Sequence, residues 1–167
     1  MLKTLANALL FQIGWFACVL GGNSAWLLIA VAVVAIHVLW RNEVRLLLAV
    51  TVTGTLLDSI LMNIGVFDFG TDGPLIPLWL VILWAVLATT LRHCLAWTAC
   101  PWWRASLLGA IGGPMSYYAG SQLANVQLPM GLWPSLVLLG LVWAVVFPLL
   151  QRLASHPLIN TRTGASH

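Results

Sequence analysis

The chain has 167 residues, of which 61% are hydrophobic and only 7% charged, with a mean hydropathy of +0.98 and a formal net charge of +3. A water-soluble domain carries about 25% charged residues to solvate its surface. Soluble enzymes, nucleic-acid binders and disordered linkers are therefore excluded, and an integral membrane protein is indicated.

A membrane helix needs roughly 20 mainly apolar residues. Six segments qualify: 4–20, 25–40, 44–66, 75–91, 104–124 and 132–153. The breaks carry turn chemistry, with Gly21, Gly22, Asn23 and Ser24 after the first, Asn42 after the second, and Gly70, Gly73 and Pro74 after the third. Pro77 and Pro134 fall in first turns, where a missing N–H costs little. The apolar runs are continuous, unlike the alternating strands of a membrane barrel. The expected fold is all-α, a polytopic six-transmembrane-helix bundle. It forms a single transmembrane domain over 1–153 with a polar cytoplasmic tail over 154–167. Ser24-Ala25 is a poor cleavage context, so the first segment reads as a retained span.

The seven basic residues set the orientation. Lys3 precedes the first span, Arg41 and Arg45 flank the second loop, Arg92 and Arg104 the fourth, and Arg152 and Arg162 close the chain. All lie on one side of an up-and-down bundle, and basic loops stay cytoplasmic, so both termini are expected inside. The opposite loops hold Asp68 and Asp72, whose glycine neighbours suggest turns rather than a calcium loop. The chain also reads as three helical hairpins, each a span with polar and small residues followed by a plainer one. True repetition would make these parallel repeats about the membrane normal.

Most tryptophans fall near span ends, where an indole half in water is favoured: Trp26, Trp40, Trp79, Trp97, Trp102, Trp103 and Trp133. Trp15, Trp84 and Trp143 lie deeper, suited to packing or ligand contact. Asp58 is the outstanding position. It lies thirteen residues after Arg45, roughly 20 Å along a helix from the basic end. A central aspartate costs about 2.5–3.5 kcal/mol to insert, so it should face the bundle interior with a partner. With no basic residue expected at that depth, the partners are hydroxyl, amide or indole donors, or the group carries a proton. It is then either a ligand-binding or proton-accepting carboxyl, or a hydrogen bond gluing helices together.

The fifth span carries Ser106, Gly109, Gly113, Ser116 and Gly120 at helical spacing, a stripe that admits a close neighbour. Pro114 frees the carbonyl of Ala110, which needs another partner or a wet cavity. In the first span Gln12 and Trp15 share a face, and Gln12 should reach a polar partner. One polar cluster of Gln12, Trp15, Asp58, Asn63, Ser116, Tyr117 and Gln122 is the candidate ligand site. His37 reads as interfacial. His93, Cys94 and Cys100 lack metal-ligand spacing, so no metal or cofactor is expected. No paired carboxylates, Ser-His-Asp set or phosphate-binding glycine loop occurs.

Asn7, Phe11-Gln12-Ile13-Gly14-Trp15, Asp58, Pro77-Leu78-Trp79 and Gly112-Gly113-Pro114-Met115-Ser116-Tyr117 resemble a family of small proteobacterial inner-membrane proteins. That family is known only as a domain of unknown function. The resemblance implies a bacterial inner membrane and hints at a lipid-modifying enzyme as partner, but assigns no catalytic role. Three functions compete. The first is a small permease or membrane receptor for an apolar or amphipathic molecule or lipid. The second is a membrane-embedded enzyme or enzyme subunit in lipid or isoprenoid modification. The third is a non-catalytic scaffold. An enzyme usually needs more than one ionisable group at its reacting centre, and the core offers Asp58 alone.

Overall fold

The computed structural model describes residues 1–71, 73–124, 126–157 and 159. Six helices follow in order: α1 Leu2–Gly21, α2 Leu27–Arg41, α3 Val44–Asn63, α4 Leu78–Ala88, α5 Trp103–Leu123 and α6 Leu132–Ser155. The protein is an all-helical membrane bundle. Asp72, Arg162 and most of the tail lie outside the described residues.

Its polarity is that of a lipid-embedded body. Leu48, Val52, Leu56 and Ile60 on α3 are exposed at four-residue steps, as are Val137, Leu141, Val145 and Leu149 on α6. Each row is one helix face, and apolar faces of this extent would be untenable against water. α1, α3 and α6 are long and apolar enough to cross a membrane, while α2 and α4 are shorter. α5 is as long, but its Gly and Ser residues make it less apolar.

Each odd helix packs on the next even one, giving three hairpins, with α5 and α6 in the most extensive contact. α4 also meets α1 and α2. Among its described residues only Leu78 is exposed, so this apolar helix is the buried centre of one half of the bundle.

The helix ends differ from the apolar runs for local reasons. α3 stops at Asn63 rather than 66, because Gly65 takes a left-handed φ of 81°. Gly65 N–H then donates to Met62 O at 2.9 Å and Val66 N–H to Leu61 O at 3.0 Å. This six-to-one and five-to-two pair closes the helix, with Leu61 and Val66 buried together. α4 stops at Ala88 because the Thr89 and Thr90 hydroxyls capture the Val86 and Leu87 carbonyls at 2.7 and 2.6 Å. The chain then turns through Ala96–Thr98, a 3₁₀ turn, before α5. Asn7 of α1 stitches this stretch down, donating to Thr89 O at 3.1 Å and accepting from Cys94 N–H at 3.2 Å. Gln151 of α6 donates to Leu95 O and to the Thr98 hydroxyl. Freed backbone groups are thus met by side chains, as a low-dielectric surround demands.

At the opposite end the two long loops pair. Asp68 and Gln127 exchange backbone hydrogen bonds of 2.9 and 2.8 Å. Ser135 donates to Val66 O, and Asn23 accepts from the N–H of Trp79 at the start of α4. Asp68 accepts from Gly70 N–H at 2.7 Å, a turn contact.

The small residues of α5 act as expected where they meet α6. A Cβ on Gly113 would overlap the Trp143 ring, and one on Gly109 the Trp143 backbone. The Ala110 carbonyl freed by Pro114 is approached by Gly140 of α6, whose Cβ would sit 3.2 Å from it. Gly54 of α3 is pressed under the Trp84 ring of α4. Gly54→Ala should therefore cost about 1–3 kcal/mol through overpacking. Gly112→Ala meets only Leu108 Cδ1, at an ordinary contact distance of 4.0 Å, and should change stability by less than about 1 kcal/mol. Unfolding of both variants in mixed micelles compares them.

Candidate functional site

Asp58 is completely buried on α3. The Trp84 indole N–H of α4 donates to its Oδ2 at 2.7 Å, and the Tyr117 hydroxyl of α5 donates to its Oδ1 at 2.6 Å. One carboxyl thus joins three helices, and both oxygens are satisfied by uncharged donors.

The two donor rings belong to an aromatic layer. Trp84 stacks on Trp143 at 5.2 Å between centroids and 8° between planes. Tyr117 stacks on Phe67 at 5.2 Å and 14°. Phe69 meets Trp79 edge-on at 5.7 Å. The Trp143 indole N–H is buried and makes no hydrogen bond to a described residue, and its ring lies tilted against Tyr117 at 6.4 Å between centroids.

This layer walls a cavity of about 480 Å³ between α1, α4 and α5. Trp15, Trp79, Trp84, Tyr117 and Trp143 are among the aromatic residues that line it. Its few polar groups include Ser116, which accepts from the Trp15 indole N–H at 3.0 Å. Phe69 and Val126 line its loop end. Gln12 and Phe16 on α1 and Gly112 and Met115 on α5 line it and are also exposed. The cavity therefore opens sideways at mid-helix, onto the face the bundle turns to lipid.

The seven candidate residues divide. Trp15, Ser116 and Tyr117 meet at the cavity, and Gln12 stands at its mouth. Asp58 lies behind the wall, touching it through Trp84 and Tyr117. Gln12 is exposed and makes no side-chain hydrogen bond to a described residue, so it does not reach the polar partner anticipated for it. Asn63 does not join the cluster. At the end of α3 it donates to Ser59 O at 2.7 Å and Pro74 O at 2.8 Å, tying the helix to its following loop. Gln122 is exposed near the end of α5, donating to Ser121 at 3.3 Å.

Two other expectations are corrected. Trp79 is buried at the cavity wall, because α4 is drawn inside the bundle. His37 is buried, with its Nε2 3.1 Å from Glu43 Oε2. Asn42 takes a left-handed φ of 53° and ends α2. The chain thereby reverses and brings Glu43 back over His37. His93 Nε2 reaches the same oxygen at 3.2 Å, and Arg92 Nη1 stands 3.6 Å from Oε1. Burial pushes the Glu43 carboxyl up. The hydrogen bonds and charge of His37 and His93 outweigh burial and hold it well below the usual carboxylate range.

Sequence reasoning missed Trp84 as the donor to Asp58, though one signal was present. Gly54 lies one turn before Asp58 on the same face, marking where a large ring could approach the carboxyl. Trp84→Phe and Tyr117→Phe should each cost about 1–3 kcal/mol, since each strips a donor from a buried carboxyl. The double variant should deviate from additivity by about 0.5–3 kcal/mol because the donors share one group. Unfolding of the four proteins in mixed micelles gives the cycle.

No curated protein and no solved structure matches the chain. Residues 4–149 match the family described as "Protein of unknown function (DUF2878)", and on that coverage the chain belongs to this family.

Proposed function

We propose that this protein is a small permease or membrane receptor that takes an apolar or amphipathic molecule from the bilayer into the cavity between α1, α4 and α5. The observation that carries this is the sideways opening of an aromatic-walled space at mid-helix. Its volume of about 480 Å³ suits one small ligand. A molecule entering there passes Gln12 and Met115 without crossing water. Inside, it meets the faces of Trp84 and Trp143, while Ser116 supplies a polar contact for a hydroxyl or carbonyl. Asp58 serves as a positioning residue, holding Trp84 and Tyr117 so that the walls keep their shape. A lipid- or isoprenoid-modifying enzyme would need paired acid–base groups at the cavity. Among the described lining residues, Tyr117 is the only one with an ionisable hydroxyl, carboxyl or amine.

The membrane we propose is a bacterial inner membrane, with both termini cytoplasmic. The basic ends support this, since Lys3, Arg41, Arg45, Arg92, Arg104 and Arg152 lie at alternate helix ends. Cys100 is exposed in the link between α4 and α5. A membrane-impermeant maleimide should label it only after the cells are broken, and labelling of intact cells would reverse the orientation.

A Cβ on Gly112 at the mouth would meet only the Leu108 side chain, at an ordinary contact distance of 4.0 Å, so Gly112→Leu should fill the entrance and leave the fold intact. Native mass spectrometry of protein taken from membranes in mild detergent should show an apolar molecule on the wild type and loss of most of it from the variant. Equal occupancy in the two proteins, or none in either, counts against the proposal.

A further inference from the structure

At the basic end of the bundle, three side chains from separate elements meet around one oxygen. His37 comes from α2, Glu43 from the link before α3, and His93 from the turns after α4. Their potential ligand atoms all lie within 4.8 Å of one another. Both imidazole Nε2 atoms approach Glu43 Oε2, at 3.1 and 3.2 Å. The two rings stand edge-to-face with centroids 5.1 Å apart, so neither blocks the other's nitrogen. Arg92 stands on the opposite carboxylate oxygen and is itself tied to Ala154 O at 2.7 Å. His37 is buried, while Glu43 and His93 keep 14% and 18% side-chain exposure, enough for a small solute to reach them. None of the three lines the aromatic cavity.

We propose that His37, Glu43 and His93 form a binding site for a divalent transition-metal ion of the zinc type. Two imidazole nitrogens and one carboxylate oxygen are the donor set of an open zinc site, in which water completes the coordination. In a tetrahedral site, ligand atoms about 2.0–2.2 Å from a common zinc ion stand roughly 3.3–3.6 Å from each other. The two Glu–His distances, 3.1 and 3.2 Å, fall just short of that, so a small outward movement of the side chains admits the ion. A carboxylate only accepts hydrogen bonds, so both Nε2 atoms carry the protons directed at it. Metal binding replaces those two protons by one ion, each proton shifting to Nδ1 of its ring or leaving to solvent. The Arg92 guanidinium stays on Oε1 as the outer partner that orients the carboxylate. Its positive charge disfavours a second cation nearby. The histidines are 56 positions apart in the chain, which is why spacing along the sequence conceals the set.

The test uses the full chain in detergent, stripped with a chelator and titrated with Co²⁺ as a spectroscopic probe. One equivalent should bind, with visible bands of nitrogen and oxygen ligation that Zn²⁺ removes. Glu43→Gln keeps one oxygen for both imidazole N–H groups but turns its amide N–H toward Arg92, so its fold is checked beside its ligation. Its affinity should fall by more than about 100-fold, beyond the roughly 10–100-fold that loss of an outer-shell partner costs, and His93→Gln should behave alike. A Cys94→Ser, Cys100→Ser, His156→Ala chain should bind as the wild type does. The proposal is overturned if the wild type shows no saturable uptake or if the triple variant loses it. It is equally overturned if His93→Gln, or a well-folded Glu43→Gln, keeps wild-type affinity.

Discussion

The bundle is organised around one carboxyl that the membrane would otherwise expel. Asp58 is fully buried, and its two oxygens are taken by the Trp84 N–H and the Tyr117 O–H. In a medium with no competing water, leaving either oxygen unmet would cost several kcal/mol. That demand holds α3, α4 and α5 in one register. Its consequences spread through the rings: Trp84 lies flat on Trp143, Tyr117 flat on Phe67, and Gly54 leaves the room that Trp84 needs. The cavity is the space this layer leaves toward α1.

The same logic accounts for the interior as a whole. Outward faces carry rows of Leu, Ile and Val, while the buried polar groups are almost all answered. Where α4 ends early, Thr89, Thr90, Asn7 and Gln151 meet the backbone groups that a longer helix would have satisfied internally. Where Pro114 interrupts α5, a glycine of α6 comes close to the freed carbonyl. At the end of α4 the freed groups are met by neighbours, the condition for irregular backbone within a membrane protein. Two polar centres result: the Asp58 layer within the bundle and the Glu43 cluster at its basic end.

Some of the site was legible and some was not. Asp58 stood out because a charge within an apolar run has no bland surface explanation. Trp15 reads as deep in its span, Ser116 as part of the small-residue stripe of α5, and Tyr117 as a member of the same polar cluster. Asn63 lies at the end of α3, where the loop backbone at Pro74 competes for its amide, and Gln122 lies exposed near the end of α5, donating to its neighbour Ser121. Periodicity along a single helix does not register that competition. Trp79 looked interfacial because it begins a span, yet α4 is enclosed by its neighbours and takes Trp79 inward.

Hydropathy and turn residues alone determined that this is a six-helix membrane bundle, because each span must satisfy its own backbone and hide few charges. They also singled out an inward-facing aspartate answered by neutral donors. Which donors answer it was decided by packing between helices that are distant in sequence. So were the sideways mouth of the cavity and the meeting of His37 with His93 on Glu43. Those outcomes depend on helix rotation and on where each helix stops, quantities set by side-chain fit across the bundle rather than by any one segment's composition.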